Sequence, residues 1–417
     1  MLSVLYSTVA VHRHAREMGR ALQEAGRLGL WHTSWMHAPQ QAVLGKAYEA
    51  AATVVPLMRK VVARRTLEGF GPVPLKMRWK SEMLRIAAET GVGHRRFGHA
   101  VWEWHEHQLA KEAGRMLKEK RFLRYLGVEH GALEALQECK RQGLPSCLVF
   151  TSPHHTFWEK WAKIGDPNFR LGAHLGSDGE RLMRRCYERV DREIELADVI
   201  RTNSSLVGRS LVEAGADPKK ITNVSLGADI TGMTPFAPWS PRDKLRLIVS
   251  GQVSERKGSF LLTQAWKELN PTGAELHFFG GVHLPKEKLT GLPASVVFHG
   301  NVDPETLRRA YRESQVLVFP TLCDGFGMVV PEAMVQGCAV LSTANAGAAD
   351  WIREGKNGWV VPAGSVKALR EGLERVFASR PQLEEMRTEA QETATRNTWE
   401  DFRVRFVEAI GDKNFLI

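Results

Sequence analysis

QVLVFPTLCDGFGMVVPEAMVQG, residues 315–337, carries the reading of the fold. QVLVFP (315–320) is a short apolar run of the kind that forms a fully buried strand. Gly325 and Gly327 in the loop after it allow a tight backbone path, and Pro331 suits the first turn of a helix, PEAMVQG (331–337). The N-terminus of such a helix offers unpaired N–H groups, and Glu332 projects from its first turn. The flanking sequence repeats this strand–loop–helix unit. LRLIVS (245–250), ELHFFG (275–280), SVVFHG (295–300) and AVLS (339–342) are further buried-strand runs. SFLLTQAWKEL (259–269), PETLRRAYRES (304–314) and SVKALREGLERVFA (365–378) have helical spacing. Apolar strands alternating with amphipathic helices predict a parallel sheet covered on both faces, with ligands beyond the C-terminal strand ends.

The earlier half repeats the pattern less clearly. LSVLYST (2–8), SCLVFT (146–151) and DVIRTN (198–203) are strand candidates, a helix is expected over 14–25, and the chain between about 45 and 140 is largely helical and basic. Gly232, Pro235, Pro238 and Pro241 mark residues 230–244 as a linker. The fold class is α/β, with two doubly wound parallel-sheet domains facing a cleft.

A chain of 417 residues has room for two or three domains, and 43% hydrophobic with 25% charged residues is an ordinary globular composition. No stretch of about 18 apolar residues occurs, and MLSVLYSTVAVHRH lacks the basic start of a secretory signal. Five cysteines without a CxxC disfavour a disulfide scaffold or zinc knuckle, so a cytoplasmic protein is expected. The net charge of +10 is uneven: residues 1–240 hold 35 basic and 25 acidic side chains, residues 241–417 hold 22 of each. No nucleic-acid reading motif accompanies the excess. MRKVVARR (58–65) and LKMRWKSEMLR (75–85) mix basic and apolar residues, as helices lying on an anionic membrane do. A solvated basic face and an anionic soluble acceptor are the other readings of the same charge.

Chemistry concentrates in two loops. Asp324 and Glu332 flank the GFG segment; eight-residue spacing of acids is common by chance, but the composite of acids, glycines, proline and preceding strand is specific. Gly251-Gln252-Val253-Ser254-Glu255-Arg256-Lys257-Gly258 is a glycine-bounded basic loop at a strand end, suited to a diphosphate, and is not a Walker loop. In the first half, Thr151-Ser152-Pro153-His154-His155 ends a strand and leaves His154 and His155 as candidates, while HRHA (12–15) follows the first strand toward the same cleft. Neither a DxD nor an HExxH motif occurs, so no catalytic metal is expected; the HxH pairs at 12/14 and 105/107 and the stretch VWEWHEHQL (101–109) read as ordinary helix core and rim.

Together these segments resemble the GT-B-fold retaining glycosyltransferases of family four, the glycosyltransferase group 1 type. The resemblance adds REIELADVIRTNSSLVGRSLVEAGADPKKITNVSLGAD (192–229) and GCAVLSTANAGAADWIREGKNGWVVP (337–362) to the two loops. It implies a Rossmann-like acceptor domain over 1–235, a Rossmann-like nucleotide-sugar domain over 236–397, and a C-terminal helix within 398–417 packing back on the first. It implies that Glu332 holds the ribose of a nucleotide sugar, Asp324 the donor sugar hydroxyls, and Lys257, with Gly251, Gln252 and Arg256, the diphosphate. Gly300 and Val302 would lie near the base, Gly325, Phe326, Gly327, Met328 and Val329 near sugar and phosphates, and His154 would reach the donor sugar from across the cleft. Asp324 stands where the family has glutamate and Gln252 where it has arginine. The function implied is retaining transfer of a sugar from a nucleoside diphosphate to an acceptor hydroxyl, in cell-surface polysaccharide or glycolipid assembly. The nucleotide sugar is a co-substrate, no cofactor is needed, and the inner face of a membrane is a candidate partner. The alternatives are a weakened nucleotide- or glycan-binding module and a nucleotide-sugar epimerase.

Overall fold

The computed structural model describes residues 3–9, 12–36, 66, 67, 70, 72–90, 95–119 and 121–411. The first sheet comprises β1 (Val4–Thr8), β2 (Leu28–Thr33), β3 (Leu75–Met77), β4 (Arg124–Val128), β5 (Ser146–Phe150), β6 (Val199–Thr202) and β7 (Ile221–Asn223). It is parallel throughout, in the order β3-β2-β1-β4-β5-β6-β7. Its helices are α1 (Arg13–Glu24), α2 (Trp79–Thr90), α3 (Arg95–Lys118), α4 (Leu133–Gln142), α5 (His155–Gly165), α6 (Gly179–Leu196) and α7 (Ser205–Glu213). The second sheet comprises β8 (Leu245–Ser250), β9 (Ala274–Phe279), β10 (Val296–Gly300), β11 (Val316–Phe319), β12 (Ala339–Thr343) and β13 (Gly358–Val361). It is also parallel, in the order β10-β9-β8-β11-β12-β13. Its helices are α8 (Ser259–Leu269), α9 (Pro304–Glu313), α10 (Val329–Val335), α11 (Val366–Ala378) and α12 (Leu383–Thr395); α13 (Trp399–Ala409) follows.

Strands buried on both faces read as unbroken apolar runs. Every residue of β5 and β12 is buried, which is why SCLVF and AVLST are legible as strands. Strand order reverses between β1 and β4 in one sheet and between β8 and β11 in the other. Crevices open at the carboxyl ends of strands at such switch points. The loops after β1, β8 and β11 are the ones that carry the unusual residues.

Five strands do not stand out in the sequence. β3 and β7 have three residues each, and β13 has four; β2 and β4 are interrupted by glycine and by His32 or Arg124. The basic segment 75–85 corrects the expectation of one amphipathic helix: it starts as β3 and turns into α2. Lys76 lies 2.9 Å from Glu112 of α3, Arg78 pairs with the same carboxylate, and Arg85 is held by the buried Glu82. Part of the basic excess is therefore consumed inside the domain. The companion segment 58–65 lies outside the described residues.

The chain crosses between the sheets twice, side by side. Ala228 N–H donates to Asn397 O at 2.7 Å, and Trp399 N–H donates to Ala228 O at 3.2 Å. Returning, α13 packs on α1 through buried Phe402 and Phe406, one turn apart on one face. Arg403 reaches Glu17 at 2.8 Å and Glu24 at 2.9 Å, both on α1. The linker is fastened by the fully buried Arg387 of α12, which donates to Gly337 O and Ala237 O and lies 3.9 Å over the Phe236 ring.

Candidate active site

A cleft of about 620 Å³ opens where the switch points of the two sheets face each other. The second sheet supplies Arg256 and Lys257 from the loop after β8, and Asp324, Gly325, Phe326, Gly327, Met328 and Val329 from the loop after β11. The first supplies His12, Arg13 and His14 after β1, Thr151, Ser152 and Pro153 after β5, and Trp158 and Asn203. Trp399 closes one end from α13.

Lys257 and Asp324 are in direct contact: Nζ donates to Oδ2 at 2.5 Å. Arg256 Nη1 lies 3.5 Å from the same oxygen and donates to Cys323 O at 3.2 Å. Lys257 also sits 5.0 Å from the Phe319 ring centroid, which fixes its stem against β11. Local backbone geometry forces this placement. Gly258 has φ of +67°, and a Cβ there would lie 2.0 Å from Pro320 O, so only glycine lets the β8 loop close against the β11 loop. Asp324 is held by its main chain, with N–H donating to Asn345 O and its carbonyl accepting from Gly347, both at 3.0 Å.

Glu332, in the first turn of α10, is exposed, and its carboxylate has no hydrogen-bond partner among the described residues. The surrounding walls strip away enough water to push its carboxyl up to about 7; Arg13 opposes the shift and Asp229 adds to it. Arg13 is bound to Asp229 at 2.5 Å and lies over Trp399. Behind it, His14 is pushed down to about 3, by burial first and by His12 second, so its ring is neutral.

The two halves touch beside the cleft. Ser204 Oγ donates to Gly325 O at 2.6 Å and Ser205 N–H donates to Asp350 Oδ2 at 2.8 Å. A Cβ on Gly325 would lie 2.2 Å from Thr151 O, so this glycine permits the close approach.

Of the residues singled out in the sequence, Arg256, Lys257, Asp324 and 325–329 converge on the cleft. Glu332 on α10, and Gly251, the exposed Gln252, Gly300 and Val302 at the strand ends, stand around it without lining it. His154 requires a correction. Its side chain is buried, caps α5 by accepting from Thr156 N–H, and turns Nε2 to Asp191 Oδ1 at 2.9 Å rather than to the cleft. His155 makes the same contact to the same oxygen, also at 2.9 Å. The cleft instead receives the chain just before them. Trp158 and Trp399 carry no sequence signal of a site; only α5 and α13 bring them there.

Residues 235–393 match the family model described as glycosyl transferases group 1. The chain carries a glycosyl transferases group 1 domain. This group 1 domain contains the β8 and β11 loops, the Lys257–Asp324 pair and Glu332. A D-inositol 3-phosphate glycosyltransferase of Rhodococcus erythropolis is 27% identical over 237 residues, covering 50% of this chain and 54% of the relative. A putative colanic acid biosynthesis glycosyltransferase, WcaL, of Salmonella typhimurium is 23% identical over 189 residues, covering 42% and 47%. The chain thus spans about half the length of the curated relatives it matches. Over the whole chain the likeness is one of shape. Anabaena HepE, solved in complex with UDP, superposes over 99% of this chain and 100% of its own with a TM-score of 0.59 at 13% identity. The fold is GT-B, with the group 1 domain as its second half.

Proposed function

We propose that the chain transfers a glycosyl group from a nucleoside diphosphate sugar to an acceptor hydroxyl with retention at the anomeric carbon. The observation that supports this reading is the meeting of Lys257, Arg256 and Asp324 in a cleft at two facing switch points, inside a group 1 domain. As the glycosidic bond to phosphate breaks, negative charge grows on the departing diphosphate. Lys257 exchanges Asp324 for the phosphate and stabilises that charge, with Arg256 beside it. Asp324, released from Lys257, accepts hydrogen bonds from donor-sugar hydroxyls, and Glu332 accepts from the ribose. Gly251 and Gln252 border the diphosphate, and Gly300 and Val302 the base. The acceptor hydroxyl bonds to the anomeric carbon on the face the phosphate leaves, and the departing phosphate oxygen takes its proton, so no protein base is required. No cofactor enters this scheme.

Incubation with a panel of nucleotide sugars and hydroxyl acceptors, with NMR of the product, tests the reading. A product whose anomeric configuration equals that of the donor is expected; an inverted product refutes retention, and binding without turnover favours a nucleotide-binding module.

The proposed setting is assembly of a cell-surface glycan or glycolipid at an anionic membrane face in the cytoplasm. The basic excess lies in residues 1–240, and α2 and α3 expose Trp79, Leu84, Phe97 and Trp104. No helix among the described residues is long and apolar enough to span a membrane. Co-sedimentation with anionic vesicles at low salt is expected, and its absence refutes the membrane setting.

A further inference from the structure

We propose that His154, His155 and Asp191 bind a divalent transition-metal ion of the zinc type, which staples the start of α5 to α6 beside the cleft. His154 Nε2 and His155 Nε2 each lie 2.9 Å from Asp191 Oδ1, and the three groups present ligand atoms all within 4.8 Å of one another. Two imidazoles and one carboxylate are the usual nitrogen and oxygen donors for such an ion, whose bonds of about 2.0–2.2 Å put tetrahedral ligands about 3.3 Å apart. The two Nε2–Oδ1 separations lie within about 0.4 Å of that spacing.

The surroundings suit a ligand set better than a simple ion pair. No lysine or arginine among the described residues pairs with Asp191; its polar partners are the two rings. Burial alone would raise its carboxyl, but the hydrogen bonds from His154 and His155 hold it below the usual carboxylate range. The rings are fixed before any ion arrives. His155 is stacked on Tyr187 at 4.2 Å and 6°, and lies 4.0 Å from the His154 ring. His154 Nδ1 is 2.8 Å from Thr156 Oγ1. When Nε2 takes a metal, the ring proton sits on Nδ1 and donates to that hydroxyl, the outer-sphere contact typical of metal-bound histidine. The cost is the weaker cap from Thr156 N–H at 3.3 Å. The Asp191 side chain is 43% exposed, which provides an entry path and room for a water at the fourth position.

A second cluster, His99, Glu103 and Cys186, is a poorer site. Both Glu103 oxygens are occupied by Arg185 at 2.8 Å, and burial pushes the Cys186 thiol up to about 12. The proposed site is separate from the donor-binding residues, yet Ser152 and Pro153, immediately before His154, line the cleft. An ion there would fix that loop.

The test uses tag-free full-length protein equilibrated with ZnCl₂, desalted, and assayed by elemental mass spectrometry and thermal melting. Wild type and Cys186→Ser are expected to retain about one zinc per chain and to melt a few degrees higher with zinc than with chelator. Asp191→Asn and His155→Ala are expected to lose both responses, and Co²⁺ in wild type should give the visible bands of a four-coordinate site. Absence of retained zinc in wild type, which no folding defect of a variant can explain, overturns the proposal. So does retention in Asp191→Asn equal to wild type, or loss in Cys186→Ser alone.

Discussion

Replacing Lys257 with alanine removes the positive charge closest to Asp324, and the structure allows the cost to be worked out. The ammonium lies 2.5 Å from Asp324 Oδ2 and its side chain is only 17% exposed, so it operates in a partly dry site. Two unit charges about 4 Å apart at an effective dielectric near 20 interact by about 4 kcal/mol. Part of that survives in the variant, because Arg256 lies 3.5 Å from the same oxygen. Loss of one charge-assisted hydrogen bond to a leaving group in such a site typically costs about 2.7–4 kcal/mol, or about 10²–10³ in rate. Lys257→Ala is therefore expected to lower kcat about 10²-fold, with an unchanged far-UV spectrum and a melting temperature close to wild type. Lys257 has a second role that predicts differently: if it served only to neutralise Asp324, the pair Lys257→Ala with Asp324→Asn would recover activity. Steady-state release of nucleoside diphosphate measures both variants. A single variant within about threefold of wild type, or a double variant restored to it, refutes the leaving-group assignment.

Three further outcomes follow from the same geometry. Glu332→Gln should weaken nucleotide-sugar binding about tenfold or more, since each hydrogen bond to a carboxylate is worth about 1.5–3 kcal/mol. Because the surrounding walls raise the carboxyl of the exposed Glu332 to about 7, the ionised form that grips the ribose is lost as pH falls through that value. Wild-type affinity by calorimetry should drop about tenfold from about pH 8 to about pH 6, and the Gln variant should show a flat profile. Gly258→Ala places a Cβ 2.0 Å from Pro320 O at φ of +67°, so it should lower the melting temperature by several degrees and abolish donor binding; a wild-type melt would show that the loop can reopen. Turnover at temperatures well below unfolding should survive EDTA, since neither metal-competent cluster among the described residues includes a cleft-lining side chain; loss restored by Mg²⁺ or Mn²⁺ would contradict this.

The second sheet was more legible in the sequence than the first, for a physical reason. β8, β9, β11 and β12 are central strands that each carry an apolar stretch, LIV, FF, VLVF and AVL, and the helices between them have clear spacing. In the first domain β4 must carry Gly127, where a Cβ would meet Ala132 at 2.8 Å, and Arg124, so periodicity fails though the strand lies beside β1. Loop chemistry was similarly uneven. Lys257, Asp324 and the GFG segment are close in sequence to their strands, and the structure brings them together. The resemblance implies that His154 reaches the donor sugar, but Asp191, thirty-seven residues away on α6, captures its ring. Such a partner leaves no mark in local sequence. Asp229 and Trp399 belong to the two crossings between the sheets, and only the closed chain path puts them beside Arg13.

The central claim is that the cleft holds a nucleotide sugar on Lys257 and Glu332. Its most direct test is a thermal-shift panel of UDP, GDP, ADP and dTDP sugars on wild type, Lys257→Ala and Glu332→Gln. A ligand present at about a hundred times its Kd stabilises the native state by about 2.7 kcal/mol. The account predicts that at least one nucleotide sugar raises the wild-type melting temperature by a few degrees and does so less in both variants. A panel that leaves the wild type unmoved, or shifts all three proteins equally, would contradict it.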